Sequence, residues 1–89
     1  MKSTKDLYLA SAFLSLGAEY NGVDKTDSRH MIFHFLPRKV STGELSKIDV
    51  PTQDLDDIET QWVNGNLLVN AVAFADAIKR MKSVVHSTD

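Results

Sequence analysis

The strongest constraint on the fold of this chain is the apolar segment at residues 6–17, which reads DLYLASAFLSLG. At about 100° per residue, its large apolar side chains fall on one half of a helix, and most of its polar side chains fall on the other half. An apolar face that wide can contact a sheet and a second helix at the same time. We therefore predict an amphipathic helix on which the later elements pack. Its apolar half consists of Leu7, Leu9, Ala10, Phe13, Leu14 and Leu16.

The residues on either side of this face predict where the helix begins and ends. Ser3 and Asp6 have the spacing of a capping box, in which the side chains bind free backbone N–H groups of the first turn. Thr4 is a competing cap. Gly17 follows the last apolar position and tolerates the left-handed backbone conformation that commonly ends a helix.

The period of the sequence changes from helical to two after this helix. Residues 30–36, HMIFHFL, alternate clearly and predict a strand, and residues 19–23 predict a weaker one in which Gly22 marks a bulge. We predict that the two strands form an antiparallel β-hairpin and that its aromatic face contacts the first helix. The inward-facing residues of the stronger strand are Met31, Phe33 and Phe35.

The segment at residues 38–51 has the least regular pattern in the chain. An extended loop, one turn of helix and a third edge strand all fit its few apolar positions. We predict a mobile loop over residues 38–51 that contains a short strand near residues 47–50.

Two further helices are predicted in the C-terminal half. The second begins at Thr52 and ends at Asn64 and Gly65, and the third begins with Asn70 as its cap and runs to about His86. The apolar positions of the third helix recur at helical spacing, which predicts its buried face. That face consists of Phe74, Ala77, Ile78, Met81, Val84 and Val85.

Together these elements predict a single small α+β domain over residues 1–89, with a frayed end at residues 87–89. An N-terminal helix precedes the antiparallel β-hairpin, and two C-terminal helices pack on the sheet. A chain of 89 residues without cysteine depends on apolar burial for its stability, and domains of this size often gain stability by oligomerising.

Charge and motifs argue against several classes of function. Ten Lys and Arg against twelve Asp and Glu give a formal net charge of −2, whereas domains built mainly to bind a polyanion usually have a basic excess. The chain has no cysteine nucleophile, no Gly-x-Ser-x-Gly elbow and no glycine-rich phosphate loop. We therefore predict a protein that is not an enzyme and binds no cofactor. The N-terminal apolar segment is too short to span a bilayer and does not resemble a signal peptide, so we expect a cytoplasmic protein.

Neither the histidines nor the acidic residues indicate a metal site. His30 and His34 are four positions apart on a predicted strand, which separates them by about 13 Å. A run of carboxylates occupies the first turns of the second helix, where water and the helix dipole stabilise them. We predict a solvated helix start that comprises Asp54, Asp56, Asp57 and Glu59.

The polar half of the first helix is the candidate protein interface. Its side chains are small apart from one tyrosine, and a flat stripe of small residues suits helix-to-helix self-association. We predict a homodimer, or the binding of another protein, through this stripe. The candidate residues are Tyr8, Ser11, Ala12 and Ser15.

Nucleic acid is the alternative partner, contacted by a basic patch on the third helix and at the end of the hairpin. Cations near a helix C-terminus also complement the helix dipole, and this structural role accounts for the same residues on the third helix. The sequence favours the structural role. The candidate nucleic-acid contacts are Arg38, Lys39, Lys79, Arg80 and Lys82.

Three short motifs resemble those of one protein family. They are TKDLYLA at residues 4–10, WVNG at residues 62–65 and FADAI at residues 74–78. The chain resembles a family of short, uncharacterised bacterial and phage-borne proteins that is described as a domain of unknown function. The resemblance covers most of the chain except residues 38–51. It implies the same fold and a phage or mobile-element setting, and it implies no activity.

Overall fold

A computed structural model describes residues 1–25, 31–38, 40–41 and 52–86, and within them it has the predicted α+β architecture. Three helices pack on one side of a three-stranded antiparallel sheet, and a separate two-stranded ladder contributes Val40 to the same core. The elements in chain order are β1 (Lys2–Thr4), α1 (Leu7–Ser15), β2 (Tyr20–Asp24), β3 (Ile32–Phe35), β4 (Val40–Ser41), β5 (Thr52–Gln53), α2 (Leu55–Val63) and α3 (Ala71–Val85).

The sheet has the strand order β1-β3-β2, so the predicted hairpin is confirmed and a further strand is added to it. Strand β1 pairs with β3 in antiparallel register, with Ser3 opposite His34. The prediction that Ser3 caps the first helix is therefore wrong. Asp6 is the N-cap, and its carboxylate accepts hydrogen bonds from the backbone N–H groups of Tyr8 and Leu9. The sequence did not predict β1 for two reasons. A strand of three residues has too short a pattern to recognise, and its partner strand, β3, lies about thirty positions away in the chain.

Helix α1 ends as predicted, at a glycine with a positive φ. Gly17 has a φ of +96°, and its N–H donates to the carbonyl of Leu14 at 3.0 Å. The next N–H, that of Ala18, donates to the carbonyl of Phe13, also at 3.0 Å. These two bonds form a Schellman motif, which satisfies carbonyls that the end of a helix would otherwise leave free.

We expect Gly17→Ala to lower the free energy of unfolding by about 1–2 kcal/mol. A Cβ atom added at this position would contact no heavy atom within 4 Å, so the loss comes from the backbone conformation alone. Chemical denaturation of the two proteins measures the difference. Gly17→Asn is the matched control and should lose less, because asparagine adopts left-handed conformations more readily than alanine. Equal losses for the two variants would contradict this explanation.

Strands β2 and β3 contribute aromatic residues to the core. The predicted bulge is present: Gly22 has a φ of +112°, and the pairing with β3 shifts register between Tyr20 and Val23. On β3, Phe33 and Phe35 are buried and Met31 is partly buried against the core, as the alternation predicts.

Helix α1 lies between the sheet and α3. On its sheet side, Phe13 meets Phe35 edge to face, with ring centroids 5.3 Å apart. Its contact with α3 is the most extensive between any two described elements. The predicted apolar half of α1 is buried or partly buried, which confirms that face. The largest fully buried apolar side chains are Phe13, Phe33, Phe35, Ile58 and Met81.

The C-terminal helices largely match their predicted ends. Helix α2 ends at Asn64 and Gly65 as predicted, and Asn70 caps α3 by accepting a hydrogen bond from the N–H of Ala73 at 2.9 Å. The predicted start of α2 is wrong, because Thr52 lies in β5, which pairs with β4, and the helix begins at Leu55. Most of the predicted loop at residues 38–51, its predicted strand at 47–50 and the predicted frayed end at 87–89 lie outside the described residues.

Candidate interaction surfaces

The predicted stripe on α1 is not an exposed surface. Tyr8 is 50% exposed, but Ser11 and Ala12 are 0% exposed and Ser15 is only partly exposed. The prediction of a four-residue interface is therefore wrong for the two central residues. Both residues are therefore covered by other parts of the same chain and are not available to a partner. The Ser11 hydroxyl donates to the carbonyl of Leu7 at 2.8 Å, so its burial leaves no polar atom unpaired.

The basic residues of the nucleic-acid alternative do not form one patch of equivalent cations. Lys79, Arg80 and Lys82 are exposed on α3, and none of them has an ion pair among the residues that the structure describes. Arg38 is exposed but pairs with Glu19, with 2.9 Å between Nη1 and Oε1. Lys39 lies outside the described residues. The basic surface that can be described is therefore the C-terminal half of α3.

An ion-pair network that the sequence did not predict joins β1 to α2. The Nζ atom of Lys2 lies 2.7 Å from Oδ1 of Asp56 and also contacts Oε1 of Glu59. The side chain of Lys2 is only 19% exposed, while that of Asp56 is 82% exposed. Two carboxylates of the predicted solvated helix start thus bind a lysine. In the sequence, the spacing of three residues between these two carboxylates places both on one helix face and could have indicated that they bind one cation together.

This network shifts the pKa values of two of its members. Hydrogen bonds from Lys2 to Asp56 and then to Glu59 raise the pKa of Lys2 above its usual 10.5, against a smaller opposing effect of burial. The hydrogen bond from Lys2, followed by its charge, lowers the pKa of Asp56 below its usual 3.8. Each shift means that the charged form is favoured in the folded state.

We expect Lys2→Met to lower Tm by a few degrees at pH 7, with a difference from the wild type that depends on pH. The stabilisation from the lowered Asp56 pKa is present above 3.8 and is lost as the pH falls through the folded value. The stabilisation from the raised Lys2 pKa is present below 10.5 and is lost as the pH rises through its folded value. Thermal unfolding from pH 2 to above pH 11 follows the acid limb and the onset of the alkaline one. Lys5→Met, which removes an exposed lysine, is the control, and a Lys2→Met deficit that is constant across pH would contradict the assignment.

The face of the sheet opposite the helices carries the histidine that the structure describes on β3. Oγ of Ser3 lies 2.7 Å from Nδ1 of His34, across the β1–β3 pair. His30 lies outside the described residues. Within residues 1–25, 31–38, 40–41 and 52–86, no group of three or more side chains is arranged to bind a metal ion.

The corner where α2 meets α3 exposes large apolar side chains. Val63 at the end of α2 is 75% exposed, Leu68 in the connection is 84% exposed and Val72 in the first turn of α3 is 72% exposed. The rings of Trp62 on α2 and Phe74 on α3 contact each other, with centroids 6.2 Å apart, and so connect the two helices. We call Val63, Leu68 and Val72 the apolar corner. Sequence reasoning missed it because helical periodicity predicts which residues can face the core and does not show which are left uncovered.

Comparison of the chain with protein-family models, curated proteins and solved structures finds no match. The resemblance to a phage-borne family therefore stays a prediction. None of the helices in the described part of the chain combines the length and hydrophobicity needed to cross a lipid bilayer.

Proposed function

We propose that this chain is a non-catalytic interaction protein that acts through protein–protein contacts, and that the apolar corner is its contact surface. The observation that carries the proposal is the exposure of Val63, Leu68 and Val72 around one helix junction. Single exposed apolar residues are common on soluble proteins, whereas grouped ones mark interaction sites.

The rest of the described surface offers weaker alternatives. Of the large apolar side chains exposed elsewhere in the described part of the chain, Met1 accepts a hydrogen bond at Sδ from Nδ2 of Asn21 at 3.4 Å, and Tyr8 stands alone once Ser11 and Ala12 are known to be buried. The apolar corner groups its exposed residues on three consecutive segments, namely the end of α2, the connection and the start of α3. Because all three lie within residues 63–72, a partner that binds at this junction is expected to displace water from exposed apolar side chains there.

Affinity capture from a lysate of the organism that encodes the chain, with and without nuclease, tests the proposal. The wild type should retain a protein partner in both conditions, and Leu68→Asp should lose it while keeping its circular dichroism spectrum and Tm. Tyr8→Asp is the matched control, since it places the same charge at an exposed residue on α1. Retention that is unchanged by Leu68→Asp would refute the apolar corner as the contact surface. Loss with Tyr8→Asp alone would place the surface on α1.

A second candidate function is nucleic-acid-associated regulation, which is favoured by the exposure of Lys79, Arg80 and Lys82 without ion-pair partners among the described residues. Retention on DNA or RNA columns at low salt tests it. The double variant Arg80→Ala, Lys82→Ala should elute at lower salt, with a salt slope reduced by about one for each phosphate that is no longer bound. Arg38→Ala is the control and should change little, because Glu19 already neutralises that guanidinium. No retention at low salt would eliminate this candidate.

The phage or prophage setting is part of the proposal and rests on the resemblance of residues 4–10, 62–65 and 74–78 alone. The genes that neighbour the coding sequence are the observation that tests it. Structural or regulatory phage genes on either side are expected, and a housekeeping operon would contradict it.

A further inference from the structure

We infer that the partner of this chain is an acidic protein segment, one that carries apolar side chains beside carboxylates and lies along the exposed side of α3. The inference rests on the proposed function, because it names the chemistry of the partner that meets the apolar corner. Val72 belongs both to that corner and to α3, and the charges that follow Val72 on the same helix identify the partner.

Helix α3 has one exposed side along its whole length. With Val72 as the origin of a helical projection at about 100° per residue, the exposed residues of α3 occupy about one half of its circumference. The buried and partly buried residues, among them Ala77 and Met81, occupy the other half. The helix has 15 residues, which is about 22 Å at 1.5 Å per residue, so its exposed side is long enough to accept an extended or helical segment of a partner.

Along this side, an apolar residue is followed by cations. Val72 is 72% exposed in the first turn, and Lys79 lies about 20° from it on the projection and about 10 Å farther along the axis. Arg80 and Lys82 lie about 80° to either side of Val72. The one carboxylate on the exposed side of α3 is Asp76, which leaves this side with a net charge of +2 in a chain whose net charge is −2.

The helix dipole does not account for these cations. The dipole stabilises cations within the last turn of a helix, and Lys82 is the only one of the three in the last turn of α3. Lys79 and Arg80 lie before that turn. Asp76 has the spacing of a helical ion pair with both, yet the part of the chain that the structure describes contains no ion pair to either. Both cations are therefore available to carboxylates of a partner.

An acidic protein segment matches this surface better than nucleic acid does. Domains that bind nucleic acid usually have a basic excess, which this chain lacks, and they contact phosphates and base edges rather than an exposed valine. Protein interfaces, in contrast, combine apolar residues with charged residues around them, and α3 has that order from Val72 to Lys82. Carboxylates on the partner would orient it on α3, and a basic partner would be repelled.

Selection from a displayed library of random peptides, with the full chain as bait, tests the chemistry of the partner. Enriched peptides should carry Asp or Glu together with aliphatic or aromatic residues, each more often than in the starting library. Enrichment of basic or uncharged peptides would overturn the inference, because the cations of α3 would then have no role in binding. A selection that enriches no peptide would overturn it as well.

Fluorescence anisotropy with the most enriched peptide then locates the contact. Lys79→Glu should weaken binding at least about tenfold, since it sets a carboxylate against those of the peptide. Leu68→Asp should weaken it to a similar extent, because the apolar residues of the peptide meet the corner. Added salt should weaken binding to the wild type. Lys5→Glu is the matched control: it makes the same change of net charge at an exposed lysine outside α3 and should bind like the wild type. All three variants should keep the circular dichroism spectrum and Tm of the wild type.

The outcomes separate this inference from the proposed function. If Leu68→Asp loses the peptide or a captured protein while Lys79→Glu keeps it, the corner binds a protein without the cations, so the inference fails and the proposed function stands. If Leu68→Asp changes neither, both fail. Self-association of the wild type that is lost with Leu68→Asp would assign the corner to a second copy and overturn the acidic segment. Retention of DNA or RNA at low salt that is lost with Lys79→Glu, without enrichment of acidic peptides, would also overturn it.

Discussion

Phe13→Ala is expected to lower the free energy of unfolding by about 3–5 kcal/mol, the range found when a buried phenylalanine is truncated. Small domains have free energies of unfolding of about 0.05–0.15 kcal/mol per residue, so the expected loss is a large share of the total for a chain of this length. The variant should therefore be largely unfolded, or retain helices without fixed packing, under conditions in which the wild type is folded.

The reason for so large an effect is the position of Phe13 between the sheet and the helices. Its side chain is 0% exposed and meets Phe35 edge to face. Phe35 in turn meets Tyr20, with ring centroids 5.8 Å apart, so these aromatic rings connect α1 to β3 and β2. Alanine would leave a cavity at this connection.

Urea denaturation monitored by near- and far-ultraviolet circular dichroism measures the effect. Tyr8→Ala on the same helix is the matched control, and it should lose less than about 1 kcal/mol because half of that side chain is already in water. A Phe13→Ala protein with a near-wild-type midpoint would show that the core does not depend on the contact between α1 and the sheet.

Ala12→Leu is expected to destabilise the fold by about 3 kcal/mol through overpacking. The sequence alone predicts almost no effect, because Ala12 falls on the polar half of α1, where leucine would be neutral. Ala12 is 0% exposed, and α1 makes its most extensive contact with α3. Three added carbon atoms at a fully buried position have to displace the groups that already cover Ala12.

Thermal unfolding of Ala12→Leu beside Tyr8→Leu measures this difference on one helix. The Tyr8 variant should unfold close to the wild-type temperature, whereas the Ala12 variant should unfold well below it. If both variants have wild-type stability, the small residues of α1 lie on an exposed surface and are not buried. In that event, the homodimer predicted through α1 would again be the simplest use of these residues.

Local patterns predicted most of the individual elements. The hydrophobic period of residues 6–17 and the alternation of residues 30–36 identified α1 and β3, because burial repeats at the period of each backbone. Gly17, Gly22 and Gly65 identified two helix ends and a bulge, since all three adopt a positive φ. Each of these features depends on residues only a few positions apart.

The candidate surfaces could not be predicted in the same way. The period of α1 showed which side meets the sheet, but the burial of Ser11 and Ala12 and the exposure of Val63 depend on how whole elements pack. The ion pair between Lys2 and Asp56 joins residues 54 positions apart. No local pattern carries information about such pairs.

The sequence by itself determined the helices, the hairpin and the sides of each that can face a core, because backbone sterics and side-chain period act over a few residues. Only the tertiary structure decided which of the remaining sides are covered. On α1 the small side chains Ser11 and Ala12 are buried within the chain itself. At the junction of α2 and α3 no described element covers Val63, Leu68 and Val72, and a partner remains to be found for them there. Exposure is a property of where whole elements pack, and that is decided by the free energy of the complete core.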